Sequence, residues 1–269
     1  AALKRKKILV RPKLIVPDSW HESEPADVSD GAVPFEAVGL SVTMVEALRS
    51  MGLTTATAIQ SRAIPALLRQ SSNAVVAGRT GTGKTLTYLI PLLERLKEDE
   101  VGKGVGPPRL RRPRAIVVAP TLELAKQIYS VAKQICHHMK LRTRLVASKM
   151  SRKRIENALA TPMDVLVATP GFLSSRMQED IFLSDVSNVV LDEADMLCDA
   201  SFWETTSAFL ACARKGGFAG GRGVDTTKRM TPGARFIFVC ATTTPELVEV
   251  MNRHFKPYDT LLETSLHKS

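Results

Sequence analysis

Six short apolar runs punctuate the chain, at residues 74–77, 115–119, 144–147, 165–168, 189–191 and 236–240. Each is nearly continuous rather than alternating, which is the pattern of a strand buried on both faces. Between and after them, apolar positions recur at helical spacing over about 83–97, 122–139, 151–160, 171–179, 200–213 and 245–254. Pro245 stands in the first turn of the last of these, where proline is tolerated. Strand alternating with helix predicts an α/β fold: a doubly wound, mostly parallel sheet with right-handed crossovers and helices on both faces. Such sheets bind ligands beyond the carboxyl ends of their strands, so the chemistry should directly follow strands. Two helical segments within 40–70, broken at 52–58, form a preface.

Composition narrows the class. With 44% hydrophobic and 24% charged residues, a disordered or fibrous chain is excluded. There is no run of 18 apolar residues, so no transmembrane helix is expected, and the basic start has no apolar secretory core. Cys136, Cys198, Cys212 and Cys240 form no CxxC pair, which argues against a disulfide framework or structural zinc and fits a reducing compartment.

The net charge of +10 is unevenly spread. Residues 1–17 hold six basic residues and no acid, 97–114 six basic and three acidic, and 214–235 six basic and one acidic. The rest is mildly acidic. Residues 1–33 therefore read as a basic N-terminal extension, in the style of an organelle-targeting remnant. The Gly- and Pro-rich segments 97–114 and 214–235 read as surface insertions in a domain spanning 34–265. Basic segments on an acidic body suit a polyanion such as RNA. Plain solvated loops are the lesser reading.

Two motifs follow strands as the fold rule requires. Gly78-Arg79-Thr80-Gly81-Thr82-Gly83-Lys84-Thr85 matches G-x4-G-K-[ST], after one strand and at the start of a helix. Its backbone N–H groups and the helix N-terminus suit a phosphate chain. Arg79, Thr80, Gly81, Thr82 and Gly83 would line it, Lys84 would sit between the β- and γ-phosphates, and the Thr85 hydroxyl would ligate Mg²⁺. The second motif is Asp192-Glu193-Ala194-Asp195, directly after the run 189–191. Asp192 would hold Mg²⁺, partly through water, and Glu193 would orient and deprotonate the attacking water. The implied cofactors are ATP and Mg²⁺.

The order of these motifs resembles the first RecA-like domain of the DEAD-box RNA helicases, over residues 35–265. Gly52-Leu53-Thr54-Thr55-Ala56-Thr57-Ala58-Ile59-Gln60 looks like the family's adenine-reading segment. Thr57 and Gln60 fall at its matching positions, and the Gln60 amide offers one donor and one acceptor to an adenine edge. Phe35 stands 17 residues before Gly52, where the family keeps an aromatic that stacks on adenine. Pro120-Thr121 and Thr169-Pro170-Gly171 resemble RNA-binding motifs. Cys240-Ala241-Thr242 takes the place of a Ser-Ala-Thr that, with Asp195, couples hydrolysis to RNA. A narrower resemblance, in Leu191–Phe202 and Thr264–Lys268, is to mitochondrial DEAD-box proteins of large ribosomal subunit assembly.

The departures cluster on the RNA side. Leu122 and Phe172 stand where the family has arginine, and no glycine occurs at 147–149, where it has a pair. Each missing guanidinium is a missing phosphate contact. Lys149, Arg152, Lys153 and Arg154 could replace them, or form a solvated basic turn. Cys240 reads equally as a coupling group or as a small buried hydrophobe. Phe182, Phe202 and Trp203 read as core, and His137 and His138 as solvated.

The resemblance implies an RNA-stimulated ATPase with a second RecA-like domain in cis that supplies arginine fingers. None of that domain's motifs occurs in these residues, so the chain alone is expected to bind nucleotide and hydrolyse it poorly. RNA, most simply rRNA, and ribosomal or assembly-factor proteins are the expected partners, with no membrane. A mitochondrial location is expected, with nucleolus or cytoplasm as alternatives. A second reading is a catalytically weak assembly factor that clamps rRNA. A DNA translocase is disfavoured by the Gln60 segment and by the acidic box itself.

Overall fold

The computed structural model describes residues 33–102, 104–215 and 234–262. The expected extension thus lies outside the described residues except for Val33. Most of 214–235 and the whole of 264–268 lie outside them too. The chain enters through strand β1 (Val33–Pro34), a 3-10 turn (Phe35–Val38), helix α1 (Val42–Ser50), strand β2 (Thr55–Ala56) and helix α2 (Ala58–Arg69). Next come β3 (Asn73–Ala77), α3 (Lys84–Gly102), β4 (Arg109–Leu110), β5 (Ala115–Val118) and α4 (Leu122–Met139). Then follow β6 (Thr143–Val146), α5 (Arg152–Leu159), β7 (Pro162–Met163), β8 (Val165–Ala168) and α6 (Pro170–Asp180). The remainder holds β9 (Asn188–Leu191), α7 (Ala194–Leu197), α8 (Ala200–Lys215), β10 (Arg235–Cys240), α9 (Pro245–His254) and β11 (Tyr258–Leu262).

Seven strands form the main sheet in the order β11-β3-β10-β9-β5-β8-β6, and every pairing in it is parallel. Side chains alternate between its faces. Val76, Val117, Val167, Val190 and Val239 point to one, where α1, α2, α3 and α4 cover them. Val75, Val118, Leu166, Leu191 and Phe238 point to the other, beneath α6, α7, α8 and α9. Both faces are therefore dry, which is why these strands read as continuous apolar runs. No helix among the described residues is long and apolar enough to cross a membrane.

Three expectations are revised. The segment 97–114 is not a loop throughout. Helix α3 runs on to Gly102, and Arg109–Leu110 pairs antiparallel with β7. Arg114 closes the segment from inside: its Nε and Nη2 donate to Asp164 Oδ1 at 3.0 and 2.7 Å, Nη1 to the Leu96 carbonyl, and Nη2 to Glu100. A seventh strand, β11, joins the sheet beside β3, beyond the last apolar run. The aromatics expected in the core are only partly there. Trp203 is half-buried against it, Phe202 is half-buried, and Phe182 lies 4.5 Å beneath the Arg112 guanidinium. His137 and His138 are exposed, as expected.

Arg114→Ala would leave the buried Asp164 carboxylate without its guanidinium. Loss of about 3–5 kcal/mol of stability is expected in urea unfolding; a loss under about 1 kcal/mol would show the pair to be ornamental.

Candidate active site

The rim formed by the carboxyl ends of β3, β9 and β10 gathers the predicted chemistry. The turn after β3 curls back on itself through Gly81 and Gly83, whose φ angles of +83° and +89° are open to glycine at little cost. The Thr82 hydroxyl donates to the Arg79 carbonyl at 2.8 Å, and Lys84 Nζ donates to the carbonyls of Gly78 and Arg79 at 2.6 and 2.8 Å. The ammonium is thus held by neutral backbone rather than by a carboxylate, and phosphate oxygens can compete for it. Thr80 and Gly81 are exposed on this loop.

The preface docks onto the loop from the side. At the start of α2, Thr57 and Gln60 form a capping box, with the Thr57 N–H donating to Gln60 Oε1 at 2.9 Å. Thr57 Oγ1 donates to the Thr82 carbonyl at 2.8 Å, and Gln60 Nε2 to the Gly83 carbonyl at 3.1 Å. Gln60 is buried, so one N–H and one lone pair remain for an adenine edge. Its main work in this structure is to brace the phosphate loop. A Cβ on Gly83 would lie 2.3 Å from Gln60 Nε2, so the two segments are fitted to one another. Phe35 differs from expectation. It is 1% exposed and sits in the hydrophobic core, with its N–H tied to the Thr54 carbonyl, so it offers no ring face to adenine here.

The acidic box caps β9. Asp192 is buried, with Oδ1 accepting from the Glu193 N–H at 3.0 Å and Oδ2 from the Tyr88 hydroxyl at 2.8 Å. Burial pushes its carboxyl up to about 6, against the pull of those two hydrogen bonds. The Tyr88 phenol rises well above its usual range, first through burial and then through the Asp192 charge beside it. Hydroxyl and carboxylate are hard oxygen donors, and no cluster of three His, Cys, Asp or Glu occurs among the described residues. That set fits Mg²⁺, which keeps several waters and takes other ligands from phosphate. A tyrosine at helical spacing in an apolar run reads as core, so the sequence carries no signal for this role of Tyr88. Glu193 is exposed and takes a left-handed backbone, φ +51°, as it turns the chain from strand into α7.

Asp195 joins this site to β10. Its Oδ2 accepts from the N–H groups of Ala241 and Thr242, both at 3.1 Å, and from the Thr242 hydroxyl at 3.4 Å. Gly78 N–H donates to the Cys240 carbonyl at 3.2 Å. Backbone and Asp195, not the thiol, make these links. Cys240 Sγ is buried among apolar side chains, and burial pushes its thiol up to about 12. Of its two readings, the small hydrophobe is the one the packing supports.

The residues assigned to RNA line the next stretch of rim, after β5, β6 and β8. Thr121 caps α4 by accepting from the Leu124 N–H, and Thr169 precedes Pro170 at the start of α6. Pro120, Thr169 and Pro170 are buried, so they aim helix N-termini rather than touch a ligand through their side chains. Gly171 lets α6 approach Ser148, whose Oγ would lie 2.9 Å from a Cβ there. Phe172 is wholly buried, so no cation can project from that position, whereas Lys149, Arg152, Lys153 and Arg154 are exposed beside it.

The DEAD/DEAH box helicase family profile matches residues 57–250, and the chain belongs to that family. It is 34% identical over 237 residues to DEAD-box ATP-dependent RNA helicase 39 of Arabidopsis thaliana, covering 87% of this chain and 36% of that protein. It is 30% identical over 265 residues to the mitochondrial ATP-dependent RNA helicase MRH4 of Pyricularia oryzae, covering 76% of this chain and 38% of the relative. Among solved structures, a hypothetical ATP-dependent RNA helicase from Sulfolobus tokodaii superposes with a TM-score of 0.65 at 28% identity, over 83% of this chain and 57% of the other. The chain thus spans well under half the length of these curated relatives.

Two outcomes are expected. Gly83→Ala should lower nucleotide affinity at least tenfold in a fluorescent-ADP titration, through the strained φ and the Gln60 clash; unchanged affinity would contradict the bracing role. Asp192→Asn should stabilise the nucleotide-free protein by about 1–3 kcal/mol at pH 8, because a raised folded pKa makes the ionised carboxylate costly. That gap should close as pH falls through 6 towards 4, a window set by the folded value of about 6 and the ordinary value of 3.8. Thermal unfolding at pH 8 and pH 5 checks it.

Proposed function

We propose that this chain is the ATP-binding half of an RNA helicase or RNA–protein remodeller, completed by a second RecA-like domain in cis. The observation that carries the reading is the convergence of Lys84, Thr85, Asp192 and Glu193 on one rim, with Asp195 tied directly to Ala241 and Thr242. The loop amides and Lys84 bind the phosphate chain. Thr85 and Asp192 would hold Mg²⁺, which when bound would supply positive charge against the phosphate chain. The exposed Glu193 carboxylate accepts a proton from the attacking water. Asp195 transmits the position of α7 to the end of β10, and Gly78 returns it to the phosphate loop. RNA lies along the rim after β5, β6 and β8, contacted through its backbone by helix N-termini and by Lys149, Lys153 and Arg154.

The context we propose is ribonucleoprotein assembly in mitochondria, most simply of the large ribosomal subunit. Similarity to helicases named mitochondrial and the basic residues 1–17 support that location. A specific observation also favours the second reading, a nucleotide-dependent clamp on rRNA. Leucine at 122 and a buried phenylalanine at 172 can give phosphate no charged hydrogen bond.

ATP turnover of the intact protein, with and without RNA, separates the readings. An enzyme turns over faster with RNA, and Glu193→Gln abolishes turnover while nucleotide binding persists. ATP binding without RNA-stimulated turnover would leave only the clamp.

A further inference from the structure

A cavity of about 790 Å³ lies far from the ATP rim, between the end of α1, the second half of α4 and the start of β6. Helix α4 starts at the carboxyl end of β5 and runs back to the opposite end of the sheet. Its last turns therefore meet the amino-terminal residues of β6, the edge strand. Ligands of the nucleotide fold sit at the other end, so this is a separate place.

Its lining is one-sided in charge. Lys133, His137, His138, Arg142 and Arg144 line it, and no Asp or Glu does. Lys133, Arg142 and both histidines are exposed. Arg144 is oriented by the Thr161 hydroxyl and the Thr143 carbonyl, which hold its guanidinium in place. His138 bridges to the Ser50 hydroxyl at 2.9 Å, closing the groove towards α1. Tyr129 contributes a half-exposed aromatic ring. A second and independent observation lies in the same wall. Thr143 is 3% exposed and its hydroxyl has no hydrogen-bond partner, although a buried hydroxyl ordinarily finds one.

We infer that this groove is a second RNA contact, taking the phosphate backbone of a strand beyond the one held at the ATP rim. The inference rests on the RNA reading above. Planar guanidinium, ammonium and imidazole donors suit phosphate oxygens. The Tyr129 ring suits an unpaired base, which stacks without regard to sequence. The edge position lets a long strand pass from the rim around β6 to the groove without crossing the core.

The test is equilibrium binding of fluorescent oligouridine, short and long, to the intact nucleotide-free protein over a series of salt concentrations. Lys133→Glu combined with Arg142→Glu should weaken the long strand about tenfold or more and flatten the salt dependence by about one unit per lost contact. Binding of the short strand, and of fluorescent ADP, should be unchanged, which also shows that the variant is folded. Tyr129→Leu should weaken the long strand without changing the salt slope. Long-strand binding by the double variant equal to that of the unaltered protein would overturn this inference alone. Absence of oligouridine binding by the unaltered protein would overturn the RNA reading with it. Binding of polyglutamate, lost in the double variant while long-strand binding persists, would assign the groove to an acidic protein and overturn it as an RNA site.

Discussion

Everything functional in this molecule depends on the parallel register of one buried sheet. Because β3, β9, β10, β5 and β8 run the same way, each delivers its following loop to the same rim. Gly78, Asp192, Ala241, Thr121 and Thr169 are far apart in sequence and adjacent only because of that register. Two dry layers of Val, Ile, Leu and Phe hold it. Burial of this kind is the dominant favourable term in folding, and it also supplies the low-dielectric setting in which Asp192 and Tyr88 interact.

The rim carries the costs expected of a working site. Asp192 is a carboxylate kept in apolar surroundings, and Glu193 holds a left-handed backbone that is unfavourable for a residue with a Cβ. Neighbouring contacts over-determine both. Tyr88 and the Glu193 N–H hold Asp192, while Asp195 anchors the following turn to β10. The phosphate loop is braced in the same way by Thr57 and Gln60, whose side chains hold the Thr82 and Gly83 carbonyls.

How legible this was in the sequence depended on the range of the signal. The phosphate loop and acidic box were legible because their chemistry needs fixed residues at fixed local spacing, after strands whose continuous apolar runs mark double burial. Strand β11 was not, since Tyr258–Leu262 carries Asp259 and sits at an edge, where one side needs no neighbour. Gly and Pro in 97–114 suggested a loop, but Arg114 found Asp164 and Glu100 across the fold, a pairing with no local signature. Phe35 was placed by resemblance at the right position in the chain, yet its ring is buried among α1 and α2 side chains. Tyr88 and the histidine-lined groove were hidden for the same reason. A buried phenol looks like core, and exposed histidines look like solvent-facing residues, until the fold sets Asp192 beside one and Arg142 beside the others.

The central claim is that nucleotide binding at the phosphate loop is felt at the end of β10. Amide hydrogen exchange of the protein with and without Mg²⁺-ATP tests it most directly. Slowed exchange is expected at Gly81–Thr85 together with slowed exchange at Ala241 and Thr242, with loss of the second effect alone in Asp195→Asn. Protection confined to the phosphate loop, with Ala241 and Thr242 unchanged, would contradict it.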